Sequence, residues 1–213
     1  MESNWAAEHL QVIRTLMERS ALYRRALAPI MIFNGVVGLA AAGLGWALPV
    51  GSLPAFIWFW VAVAVVGLAG SLLLVRRQAL KAAEPFWSPP TRRVSQALLP
   101  PLAAGFLISA VLLLRAASVP SASGAVPEIV WLPLSWVVLY GCAFHAAGFF
   151  MPRGMKVFGW TFILGGCLLF AIGVPKELDP AHYAHGTMGF FFGGLHLAYG
   201  VYLYFTEPRR NET

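Results

Sequence analysis

Six apolar stretches, each close to the length of a bilayer-spanning helix and none containing an acidic residue, leave this 213-residue chain few folds to choose from. A hydrocarbon core about 30 Å thick requires about 20 apolar helical residues, and a backbone inside it must satisfy its own hydrogen bonds. The stretches run at about residues 29–50, 54–75, 98–117, 129–150, 157–174 and 184–205. All nine Asp and Glu lie outside them, and no Lys enters one. Arg115 touches the third near its end, where its stem can snorkel to the headgroups. With 59% hydrophobic and 11% charged residues, the chain departs strongly from a soluble domain, which is roughly 45–50% apolar and 25% charged. The expected fold class is all-α, a polytopic membrane bundle of six transmembrane helices preceded by an amphipathic cytoplasmic surface helix.

The cations orient that bundle. Thirteen of the fifteen Lys and Arg fall in alternate gaps, and only Arg115 and Lys176 belong to the others. By the positive-inside rule both termini are expected to be cytoplasmic. The compactness of the chain is the ground for expecting a bacterial-type inner membrane. The net charge of +6 follows from this bias and draws the chain to anionic headgroups. The basic residues are divided among four separate segments with no soluble domain behind them, so no nucleic-acid partner is expected. Cys142 and Cys167 both lie within spans and imply no disulfide framework. The first apolar block exceeds the 7–15 residues of a signal-peptide core and is read as a retained span. The expected organisation is a surface helix at 1–27, one membrane domain at 28–206 and a cytoplasmic tail at 207–213.

Residues 5–27 place Leu10, Ile13, Met17 and Ala21 at helical spacing among charged residues, with Trp5 as an interfacial anchor. Only Gly51, Ser52 and Leu53 separate the first two spans, which should form a tight antiparallel pair. The gap from Arg76 to Ala97 is the longest. Its prolines, Pro85, Pro89 and Pro90, argue against a continuous helix there, and Phe86 and Trp87 suit the interface. Pro100 and Pro101 are placed at the start of the third span. Residues 118–124 read as a linker. Trp46, Trp58, Trp60 and Trp131 fall near one membrane face and Trp160 near the other, as an aromatic belt does.

The sharpest local pattern is in the last span, where His182, Gly186, Gly189, Gly193, His196 and Gly200 recur at spacings of four and three, one helix face. In the fourth span Gly141, His145 and Gly148 repeat the theme. Small residues let backbones or a flat ligand approach closely. At 1.5 Å per residue His145 lies roughly 8 Å and His196 roughly 14 Å from the cytoplasmic ends of two parallel spans. His145 and His196, with Gly141, Gly148, Gly193 and Gly200, are therefore the candidate ligand- or proton-binding residues. Two histidines at similar depth can also ligate a b-type haem, while the plain alternative is a neutral histidine bonded to a neighbouring helix. Asn34, Ser71, Ser109, Ser135, Tyr140, Thr161, Thr187, Tyr199, Tyr202 and Tyr204 are, for the most part, expected to bond across helices.

At the outer surface Glu177, His182 and His185 could share a divalent metal, although Asp179-Pro180 there also has the form of a helix start. The leading expectation is a non-enzymatic accessory subunit or small binding or transport module, with no assigned catalytic residue and a polar site between spans four and six. Its partners would be the lipid bilayer and a membrane protein or second copy. A bis-histidine haem electron-transfer subunit is the rival, and a metal-dependent hydrolase at the outer face is the third reading.

Overall fold

The computed structural model describes residues 27–48, 50–81, 83, 85–118, 128–151, 154–175 and 177–206. The expected surface helix up to residue 26, the linker beyond Ser118 and the tail lie outside the described residues. Within them are six helices long and apolar enough to cross a membrane: α1 (Leu27–Ala47), α2 (Leu53–Lys81), α3 (Pro89–Ser118), α4 (Glu128–Ala147), α5 (Gly154–Ile172) and α6 (Pro180–Thr206). Among the described residues the fold is all-helical, that of a multi-pass membrane protein.

Local chemistry sets the helix ends. Leu27 and Ala28, assigned from sequence to the surface helix and the margin before the first span, open α1 and are buried in the bundle. Helix α1 stops at Ala47 instead of 50, because a residue ahead of a proline, here Leu48 before Pro49, disfavours helical geometry. Helix α5 ends on Gly173, whose φ of 75° and N–H bond to the Leu169 carbonyl at 3.0 Å make a left-handed cap. Helix α6 starts at Pro180, with the Asp179 carboxylate accepting from the N–H groups of Ala181 and His182 at 3.0 Å. Asp179 is therefore an N-cap.

The gap from Arg76 to Ala97 is not one continuous helix, as its prolines lead one to expect, but α2 and α3 extend into it from both sides. Helices α2 and α3 have 29 and 30 residues, about 44 Å each, so both outrun the hydrocarbon core. The chain turns between Lys81 and Pro89. Pro89 costs nothing there, since the first helical position has no intrahelical acceptor to bond. The Ser88 and Thr91 hydroxyls bond at 2.9 Å, and Thr91 donates to the Phe86 carbonyl, which closes the turn. Pro100 and Pro101 fall inside α3 and not at its start, because the helix begins eleven residues before them.

Two core clusters fill the bundle. At the end marked by Leu27 and Leu203, α1, α4, α5 and α6 contribute Met31, Val137, Met155, Phe158, Phe162 and Phe191. At the end marked by Ala184, α1, α2, α4 and α6 contribute Ala41, Phe56, Trp60, Ile129, Leu134 and Met188. Helices α1, α4 and α6 supply both clusters; α4 and α6 run parallel, whereas α5 lies antiparallel to α4 and α1 antiparallel to α6. Helix α3 is peripheral, with Phe106, Leu107 and Leu114 exposed toward lipid. Across α1 and α2, Asn34 donates to the Ser71 hydroxyl at 2.8 Å, tying the expected antiparallel pair. Ser135 and Thr161 instead bond the carbonyls four residues back in their own helices.

Candidate functional site: two buried histidines and a glycine-floored groove

The glycine faces meet partners other than those expected. In α6, a Cβ on Gly193 would lie 2.7 Å from the Leu39 nitrogen, and one on Gly200 would lie 2.7 Å from the Ile32 nitrogen. From the other side, a Cβ on Gly35 would lie 2.5 Å from the Leu197 nitrogen and one on Gly38 the same distance from the Phe192 carbonyl oxygen. Helices α1 and α6 thus touch backbone to backbone, as small residues permit in lipid. In α4, Gly141 abuts Gly159 and Ile163 of α5, and Gly148 abuts Lys156. Gly141 and Gly148 therefore belong to the α4–α5 seam, and Gly193 and Gly200 to the α1–α6 seam.

His145 and His196 do not share a site. The register of α4 on α6 brings His196 level with Tyr140, five residues before His145, so the depth difference seen in the sequence is real. His196 is 1% exposed and walled by Phe158, Phe162 and Phe192. Its Nδ1 lies 3.0 Å from the Phe191 carbonyl oxygen, which can only accept, so Nδ1 carries the proton. Its Nε2 then accepts from the Tyr140 hydroxyl at 2.7 Å. His145 packs instead against Phe149 and Trp160, and its Nδ1 is buried without a partner. Trp160 lies two residues from Phe158 and from Phe162, about 200° around α5, so the two imidazoles occupy different faces of that helix. The two rings share none of these aromatic neighbours, and both nitrogens of His196 are engaged within the protein.

The expected surface pair also divides. His182 is exposed, 3.2 Å from the Asp179 carboxylate, with its ring edge-on to Trp46. His185 turns inward and is 1% exposed, between Phe56, Phe59 and Trp60. An indole nitrogen only donates, so the Trp60 Nε1–H bond of 3.2 Å makes His185 Nδ1 an acceptor. His185 Nε2 then donates to the Val50 carbonyl at 3.1 Å, pinning the α1–α2 turn to α6. His182, His185 and Glu177 do not form a metal-ligand cluster, and among the described residues no group of three or more His, Cys, Asp or Glu does. Trp60, placed from sequence in the aromatic belt, is a buried donor because its indole is on the α2 face turned toward α6. Trp46, Trp58, Trp131 and Trp160 are exposed, as belt residues are.

The structure opens elsewhere. A groove of about 340 Å³ runs between α1 and α6 on the half of the bundle nearer His182, lined by Leu39, Ala42, Gly43, Trp46, Gly186, Gly189, Phe190 and Gly194. A Cβ on Gly43 or Gly186 would meet nothing within 4 Å, and one on Gly194 only the Gly189 oxygen at 4.0 Å. These three glycines leave space where the others close it. The lining is almost wholly apolar, and its indole N–H, on Trp46, already donates to the His182 carbonyl at 3.1 Å. Beside the groove α6 adopts π winding over Gly189–Leu195 before resuming α geometry at His196. The sequence signals for Tyr140, Trp60 and the groove were faint: a tyrosine and a tryptophan among many aromatics, and glycines whose role depends on which helix faces them.

Comparison with protein-family models, with characterised proteins and with solved structures finds no match to this chain.

Proposed function

We propose that this chain is a non-enzymatic binding module of a bacterial-type inner membrane, with both termini cytoplasmic, that holds one acyl chain of a membrane lipid in the α1–α6 groove. The groove is the observation that carries this reading. Its volume of about 340 Å³ is at the lower end of the range of small-molecule pockets. Its lining offers no unbonded polar side-chain donor, which favours a hydrocarbon occupant over a polar substrate. The polar end of such a lipid would emerge beside Trp46, His182 and Asp179, where an indole and an exposed polar pair suit the headgroup level. The alternating thirteen-to-two division of basic residues supports the orientation, which puts this mouth on the outer side.

Native mass spectrometry of the purified full chain, titrated with a lysophospholipid as a one-chain probe, tests the proposal. Gly43→Leu fills open space and should leave the fold intact. The wild-type chain is expected to retain one equivalent of probe, and Gly43→Leu to lose at least tenfold in occupancy at equal thermal stability. Equal retention by both proteins overturns the groove as the binding site.

A further inference from the structure

The π segment of α6 links the two buried histidines. A π bulge contains one more residue than the α turn it replaces, so the helix faces before and after it are offset by about 100° from an uninterrupted α-helix. His185 sits on one side of the bulge, bonded to Trp60 and Val50, and His196 sits on the other, bonded to Tyr140. With α winding throughout, α6 could not present both rings to these partners at once. The segment also supplies Gly189, Phe190 and Gly194 to the groove.

We propose that the chain of hydrogen bonds from the Tyr140 hydroxyl through His196 to the Phe191 carbonyl is a latch that holds the π register and thereby positions the groove floor. The bond from His196 Nδ1 reaches a carbonyl within the bulge, five residues back, which the ordinary α ladder does not use in this way. The latch is anchored from outside α6, since Tyr140 belongs to α4 and packs against Phe144, Phe162 and Phe192. Open space beside Gly186 and Gly194 gives the helix room to rewind when the latch is cut. The consequence for a bound acyl chain rests on the groove reading. The register itself does not.

Nitrogen-15 NMR of histidine-labelled full-length protein in lipid nanodiscs, without added ligand, separates the two. The wild-type protein is expected to show His196 protonated on Nδ1 and His185 on Nε2. Tyr140→Phe removes only a hydroxyl from α4 and touches nothing around His185, yet it should move His185 into at least two populations as the Trp60 bond is lost. Deleting Gly194 removes the extra residue, so the Tyr140→Phe variant that also lacks Gly194 should return His185 to its wild-type signal. An unchanged His185 signal in Tyr140→Phe overturns the latch. So does a deletion variant that fails to fold or to restore the signal. Failure of lysophospholipid binding alongside these spectra would overturn the groove reading alone.

Discussion

In each of the two buried histidines a partner with only one hydrogen-bonding role assigns one ring nitrogen, and burial among aromatics without a counter-charge keeps the ring neutral. Trp60 can only donate and the Val50 carbonyl can only accept, so His185 is a bridge and not an available base or ligand. His196 is used in the opposite sense, donating from Nδ1 and accepting at Nε2. Buried polar groups in lipid are stable when both ends are satisfied, and a side-chain bond between membrane helices contributes about 0.6 kcal/mol on average and about 1.7 at most. A double-mutant cycle of Trp60→Phe with His185→Phe, followed by unfolding in mixed micelles, should therefore give a coupling of about 0.6–1.7 kcal/mol. A coupling indistinguishable from zero would remove the bridge. In the sequence the intramembrane histidines stand out, but which nitrogen they use and which aromatic answers them depend on the register of helices far apart in the chain. His196 was legible as central, whereas Tyr140, at position 56 residues away, was one polar residue among several.

Among the helices, the number of spans was legible and several boundaries were not. Length and apolar content are local properties, so all six spans stand close to where composition puts them. The extensions of α2 to Lys81 and of α3 back to Pro89 were hidden because the residues there are basic and proline-rich, which marks the end of the membrane but not the end of a helix. Arg76, Arg77, Lys81, Arg92 and Arg93 are all exposed on these extensions, where long cationic stems reach headgroups. The glycine stripes were legible as packing faces but not as pairs. The stripe on α6 could have met α4 or α1, and the glycine-rich first span is the better match because both backbones can then approach. The π winding of Gly189–Leu195 has no counterpart in the three-and-four spacing, which assumes uninterrupted α geometry.

At the scale of the whole molecule, parallel α4 and α6 with antiparallel α1 and α5 make a bundle with an aromatic-rich interior and a groove between α1 and α6. The proposed orientation predicts that a reporter fused after Thr213 works in the cytoplasm, while one inserted between Ser121 and Ser123 works only outside. Activity of both on the same side would contradict it. Helix α6 is clamped to α1 along one set of glycines and stands away from it along another. Two adjacent residues test this through the thermal unfolding of the intact bundle. Gly193 has the Leu39 nitrogen where a Cβ would go, so Gly193→Ala should destabilise the protein by about 1–3 kcal/mol as the helices are forced apart. Gly194 faces open space, so Gly194→Ala should leave stability unchanged or raise it by up to about 1 kcal/mol. Equal losses at both positions, or the larger loss at Gly194, would contradict the α1–α6 seam.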